Sequence, residues 1–507
     1  MDRRSFLALA AAFGGYGMAS AQPIADAVRL GAPQPFSRDV LLAHARTLST
    51  AAYAPRPKVP QAWQDLTYDQ YRLYWYNSQK ALWAASGRPT EVDFFLPGLY
   101  FPQAVPVHVV DAGESRQVGF DLALFDRTDK APALPVDETV GYSGFRLRAE
   151  LEAPGIFQEY AVFQGASYFR ALGRGLTYGL SARGLALNTG DAAGEEFPDF
   201  TAFWLEAPAP GARSITLHAL LDGPSVTGAY TFIITPGETT LMQVDATLFP
   251  RVDLPHVGIG PLTSMFLFDG TNRNRFDDFR PQVHDSDGLL IHNGAGEMLW
   301  RALANPLRLQ VSSFVDDGPH GFGLMQRERK FSDFADLEAN YHLRPSLWVE
   351  PGESWGRGAV TLVEIPSDKE IYDNIVAYWR PRDPLPAGKP HRMTYRLHWG
   401  ATPPPLRDVA AVLDTKIGKS AFKEGYVAAI DFADHPDLAG DPTGITLHIS
   451  TNIGSVSTGQ LQRNPETGGL RLTFGFDPKD APAQELRAQL LRAGKVASEV
   501  WLYRWTA

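Results

Sequence analysis

The sequence predicts a mainly β protein, a large β-sandwich followed by a small β-sandwich of immunoglobulin size. Three observations carry this reading. From about residue 95 onward, short apolar-rich runs alternate with Gly, Pro and Asp, the punctuation of strands and turns. Helical signals are confined to the beginning of the chain. Pro403, Pro404 and Pro405 stand in a row, which no sheet interior admits and which favours a stiff extended spacer.

The elements follow in order. Ser37 is placed to cap a short helix running through Val40, Leu41, His44, Ala45 and Leu48. Thr67-Tyr68-Asp69-Gln70 reads as a capping box, with Tyr71, Tyr74, Trp75, Ala81 and Leu82 continuing an apolar face behind it. The strand-like runs then begin. They include Thr201–Glu206, Ser214–Leu221, Ala229–Ile234, Leu307–Val311, Val360–Glu364 and Met393–Trp399. After the prolines, about a hundred residues hold strand patterns near Tyr426–Phe432, Ile445–Ser450, Leu470–Phe476 and Val500–Trp505, the size of one immunoglobulin-like sandwich. Glu485–Arg492 is ambiguous, alternating like a strand but composed like a helix. The expected organisation is a leader over 1–21, a large domain over 22–400, a linker over 401–410 and a small domain over 411–507.

The leader begins with Arg3-Arg4-Ser5-Phe6-Leu7, continues through an apolar run from Ala8 to Tyr16, and ends at Ala19-Ser20-Ala21. A basic start, a short apolar middle and small residues before the cut describe an export signal, and the arginine pair points to the twin-arginine route into the periplasm. The run is too short to cross about 30 Å of hydrocarbon as a helix. No later stretch reaches the length of a spanning helix, so no membrane insertion is expected. The net charge of −10 argues against nucleic acid and against anionic membrane surfaces. There is no cysteine, which excludes disulfides, thiolate metal sites and iron–sulfur clusters, and no cofactor is expected.

The chain lacks a Gly-x-Ser-x-Gly elbow, a His-Glu-x-x-His helix and a Walker loop. What remains is acidic. Cleaving a glycosidic bond needs one carboxyl group to protonate the leaving oxygen and another to activate water or attack the sugar. Two segments supply carboxylates: Pro281-Gln282-Val283-His284-Asp285-Ser286-Asp287-Gly288, and Glu370-Ile371-Tyr372-Asp373-Asn374-Ile375-Val376. Each has a plainer reading. Asp285-Ser286-Asp287-Gly288 also reads as an ordinary turn, and Asp373-Asn374 as a cap or turn before a strand. Trp300, Tyr341, Trp348, Trp355, Tyr378 and Trp379 form an aromatic set that suits either a core or a sugar platform. Arg344 and Arg183 suit hydroxyl recognition or the holding of carboxylates.

Longer blocks resemble one family. Gly165–Arg170, Tyr178–Ala186, Glu195–Trp204, Thr263-Ser264-Met265, His284–Asp287, Gly321–Leu324, Arg344–Pro351, Asp373–Val376 and Trp501-Leu502-Tyr503 are similar to the periplasmic glucans biosynthesis proteins of G and D type, in the family order. The arginine pair resembles the D type more than the G type. The resemblance implies a galactose-mutarotase-like sandwich followed by the immunoglobulin-like one, and turns 485–492 toward strand. It implies a β-1,2-glucan partner and, through glucanase-type members, an inverting endo-acting hydrolase or a related transferring enzyme. On this chain the family's general acid falls on Asp373, and its second carboxylate, reached through a proton relay, on Asp285. Glu370 and Tyr341 fall on positions lining the same cleft, with Arg344 and Trp355 as further substrate-binding candidates. Glucanase-type members also form a homodimer in which a long loop reaches the partner's cleft. Here the corresponding stretch, Asp414–Tyr426, is short. A glucan-binding scaffold without catalysis is the competing expectation.

Overall fold

The computed structural model describes residues 27–402, 404 and 408–507; the expected leader and most of the proline linker lie outside the described residues. The described residues form two compact units, one over 27–261 with 380–400 and one over 262–379 with those after 400. This differs from a division at the linker alone. The C-terminal strand Val500–Thr506 pairs in parallel with Met298–Ala302, so residues after the prolines extend a sheet begun near residue 288.

In the first unit, one sheet runs in the order Gln34–Pro35, Glu114–Gln117, Val107–Asp111, Asp199–Glu206, Ile215–Asp222, Val226–Thr235, Thr240–Pro250 and His391–Gly400. A second contains Ser181–Arg183, Tyr168–Ala171, Phe157–Gln164, Gly144–Glu150 and Glu91–Phe95. Inward Phe residues from the two sheets meet edge to face. Phe163 and Phe169 of the second sheet lie 5.4 and 5.2 Å from the Phe232 ring of the first. The helix Arg38–Ser49 is capped by Ser37, whose hydroxyl accepts from the Val40 N–H, and buries Leu41 and Ala45. The capping box at Thr67 is present, yet its helix covers only Tyr68–Tyr71. Tyr74–Tyr76 is a strand instead, paired with Phe125–Arg127, because consecutive aromatics pack better on a pleated surface than on a helix.

In the second unit the main sheet runs Ser346–Pro351, Gly321–Met325, Gly288–His292, Met298–Ala302, Val500–Thr506, Ala483–Arg492 and Ile445–Thr451. The ambiguous segment is therefore a strand. A separate sheet of Val412–Lys419, Tyr426–Phe432, Leu470–Asp477 and Ser455–Val456 shares a core with it, Phe474 meeting Trp501 edge on at 6.0 Å. Gln310–Asp317 pairs with Arg357–Glu364 and ends its own sheet. The strand expected at Leu307 starts only at Gln310; Leu307 and Leu309 are exposed. Of the aromatic set, Trp300, Tyr341, Trp348, Tyr378 and Trp379 are buried.

Candidate functional site

The Asp285–Gly288 segment is not a surface turn. All four residues are buried, Asp285 completely, between the strands Val283–His284 and Gly288–His292. Gly288 serves packing: a Cβ there would lie 2.2 Å from the Trp300 ring. The Asp285 N–H donates to the Met265 carbonyl at 2.8 Å, and the Ser286 and Ser264 hydroxyls are 2.9 Å apart. A fully buried carboxylate needs a cation or donors nearby. Arg344 supplies one, its Nη1 standing 3.4 Å from Asp285 Oδ1.

Arg344 is itself held from several sides. It follows the single turn Tyr341–Leu343 and precedes Pro345, so its backbone is extended at that point. Its Nε and Nη2 donate to the Ala339 carbonyl at 3.0 and 2.7 Å, and its guanidinium lies 5.0 Å from the Tyr341 ring centre. Burial lowers its pKa below the usual arginine value, while Tyr341, Asp336, Glu370 and Asp373 pull in the opposite direction. One guanidinium is thus ion-paired to Asp285 and lies within the fields of Glu370 and Asp373.

Glu370 is fixed more tightly. Its Oε2 accepts from the Tyr341 hydroxyl at 3.0 Å and from Arg280 Nη1 at 2.7 Å. The same Arg280 donates to Asp336 at 2.7 Å and to Asp278 at 2.9 and 2.7 Å. Burial works against the Arg280 charge, but these three carboxylates hold its pKa above the usual value. Asp336 in turn accepts from the Ala339 N–H, and the Ala339 carbonyl accepts from Arg344. A continuous network therefore runs from Glu370 through Arg280, Asp336 and Ala339 to Arg344 and Asp285.

Asp373 enters through its neighbour. Asn374 Oδ1 accepts from the Phe266 N–H at 2.8 Å, and its Nδ2 donates to the carbonyls of Phe266 and Ile365 at 2.9 and 3.0 Å. Phe266 is paired in register with His284. One short strand, Phe266–Phe268, thereby anchors the residue after Asp373 and the residue before Asp285. Asp373 itself is half-exposed.

The other candidates lie elsewhere or play plainer roles. Trp355 finds its ring contact with the buried Trp379, at 6.4 Å. Arg183 pairs with Glu195 at 2.5 Å and covers the Tyr168 ring, so it holds a carboxylate in the first unit. Arg280 was not singled out from the sequence, since two of its three partners, Asp336 and Glu370, come from distant loops.

A second acidic group surrounds His284. This ring is fully buried, stacked 5.6 Å from Phe266 and edge on to Phe334, with Nε2 3.4 Å from Glu328 Oε2. Burial pushes the histidine pKa down. It pushes the Glu328 carboxyl up to about 7 and those of Asp269 and Asp287 up to about 6. Carboxyls titrate near pH 4 in an unfolded chain, so between about pH 4 and 7 the folded state holds protons that the unfolded state has released. Stability from these groups is complete below that window and falls as pH rises through it. Glu328→Gln removes one contributor. Its thermal midpoint relative to wild type is expected to improve progressively from about pH 4.5 to 7.5. A difference that stays constant over that series of melts contradicts the assignment.

The family model "Periplasmic glucan biosynthesis protein, MdoG" matches residues 36–505. A glucans biosynthesis protein G of Rhodopseudomonas palustris (strain BisA53) is 47% identical over 477 residues, covering 94% of each chain. A protein of the same name from Vibrio cholerae serotype O1 is 45% identical over 485 residues, covering 95% of this chain and 89% of its own. Among solved structures, a galactose mutarotase related enzyme of Lactobacillus acidophilus covers 49% of this chain at 9% identity, with a TM-score of 0.21. With the family model spanning nearly the whole chain and relatives near 45% identity over its full length, this protein belongs to the periplasmic glucan biosynthesis family, MdoG.

Proposed function

We propose that the protein is an enzyme of the periplasm that cuts within β-1,2-glucan chains with inversion at the anomeric carbon. The observation that carries this reading is the Arg344 guanidinium, paired with Asp285 and lying in the fields of Glu370 and Asp373. In this reading Asp373, half-exposed, gives its proton to the leaving glycosidic oxygen. Asp285, fully buried, takes the proton of the attacking water through a relay of water or sugar hydroxyls, since water cannot touch it directly. Tyr341 and Glu370 fix the wall between them. The twin-arginine signal supports export in the folded state, and a glucan is the partner.

A scaffold that binds glucan without cutting it is the second reading. It is favoured by the hairpin that opens the C-terminal sheet, where only residues 420–425 separate Val412–Lys419 from Tyr426–Phe432. Incubation of the purified protein with linear β-1,2-glucan, followed by sizing, separates the two. Shortened chains support the enzyme. Bound glucan of unchanged length supports the scaffold.

A further inference from the structure

A groove of about 380 Å³ opens in the second unit, and none of its lining residues belongs to the Arg344–Arg280 network. One wall is Val311–Phe314, on the strand that ends its sheet. The other is formed by Ser450 and Asn452 with Glu485, Arg487, Leu502 and Arg504, above the buried Arg301. The volume lies near the lower end of the roughly 300–1,000 Å³ of small-molecule clefts, which suits a short segment of a chain ligand.

The charges decide what class of ligand fits. Each arginine of the groove already faces a glutamate: Arg301 with Glu364 at 3.1 Å, Arg487 with Glu297 at 3.0 Å, Arg504 with Glu485 at 3.4 Å. An anion would have to compete with a carboxylate at every one, so phosphate and carboxylate ligands are disfavoured. A neutral polyhydroxyl ligand has no such conflict, because each hydroxyl both accepts from a guanidinium and donates to a carboxylate. The hydroxyls of Ser312 and Ser450 add further partners of the same kind. Asn452 is preset for this role, its Oδ1 engaged by the Glu485 N–H and its amino group left as donor. Phe314 and Leu502 supply apolar surface for the C–H faces of pyranose rings.

We propose that this groove is a second, non-catalytic saccharide site that holds a neutral stretch of glucan while another part of the chain occupies the carboxylate network. The inference rests on the reading that the protein handles glucan. It gives the molecule two grips on one polymer, so long chains are bound better than short ones.

The test uses the full chain carrying Asp373→Asn, so that the ligand survives, and a purified linear β-1,2-linked glucose oligosaccharide as probe, with inorganic phosphate as control. Ser312→Trp fills the groove, because Ser312 shares a strand face with Gln310, whose cross-strand partner Glu364 meets Arg301. Arg487→Gln removes a donor whose partly exposed ion pair contributes little to stability. Two classes of saccharide site are expected by calorimetry. Either groove change weakens one class by roughly tenfold, the scale of one or two lost hydrogen bonds, and Tyr341→Ala weakens the other. In the chain with Asp373 restored, Ser312→Trp raises KM for the polymer and leaves cleavage of a short oligosaccharide unchanged. Both classes surviving Ser312→Trp and Arg487→Gln overturns the groove and spares the carboxylate site. Phosphate binding that Arg487→Gln abolishes also overturns it. Groove binding that persists while wild type fails to shorten any glucan upholds the groove and removes the enzymatic reading.

Discussion

Arg344→Ala is expected to lower the thermal midpoint by roughly 10 °C and to abolish glucan cleavage. The guanidinium is buried, and its removal leaves Asp285, fully buried, without the cation 3.4 Å away. Breaking a buried ion pair from one side costs about 3–5 kcal/mol, and in a large domain each kcal/mol moves the midpoint by about 2–4 °C. The change also frees the Ala339 carbonyl, which links Arg344 to Asp336 and Arg280. Arg344→Lys keeps a charge but has no planar fork to serve Asp285 and Ala339 together, so an intermediate loss is expected. Melts of the two variants beside wild type check the ordering. An Arg344→Ala midpoint equal to that of wild type contradicts the role given to this residue.

Asp373→Asn is expected to keep the fold and glucan affinity while cutting turnover at least ~100-fold, the lower end of what positioned proton transfer supplies. The substitution is nearly isosteric at a half-exposed position, and Asn374, which clamps the neighbouring strand through three hydrogen bonds, is untouched. Asp285→Asn should reduce turnover to a similar degree, with a change in stability as well, because a neutral amide no longer balances Arg344. Turnover on linear β-1,2-glucan, read beside a binding isotherm for each variant, checks both. Wild-type turnover by Asp373→Asn removes it as the acid.

Local signals were legible where local forces decide the outcome. The Ser37 cap and the helix behind it formed as the spacing predicts, since a capping hydroxyl and an apolar stripe are short-range properties. The capping box at Thr67 also formed, but the aromatics behind it entered a strand because a pairing partner, Phe125–Arg127, lies far along the chain. Asp285–Gly288 had the composition of a turn. Its glycine answers to Trp300 across the sheet and its first aspartate to Arg344, and neither tie has a local signature. Arg280 was invisible for the same reason. Asp278 lies two residues away, but the arginine's other carboxylate partners, Asp336 and Glu370, reach it only in the folded chain. Asp285, Tyr341, Arg344 and Glu370, by contrast, were named from sequence and are joined here by direct contacts.

In the proposed reaction Asp373 and Asp285 work on opposite sides of one glycosidic bond, with water rather than a carboxylate attacking the sugar. The anomeric configuration of the first reducing ends released from linear β-1,2-glucan, followed by NMR before mutarotation, tests it most directly. Direct attack by water gives inversion, so α-anomeric ends should appear first and the β form should grow in afterwards. Initial release of β-anomeric ends would require a covalent intermediate on one of the carboxylates and would contradict the account.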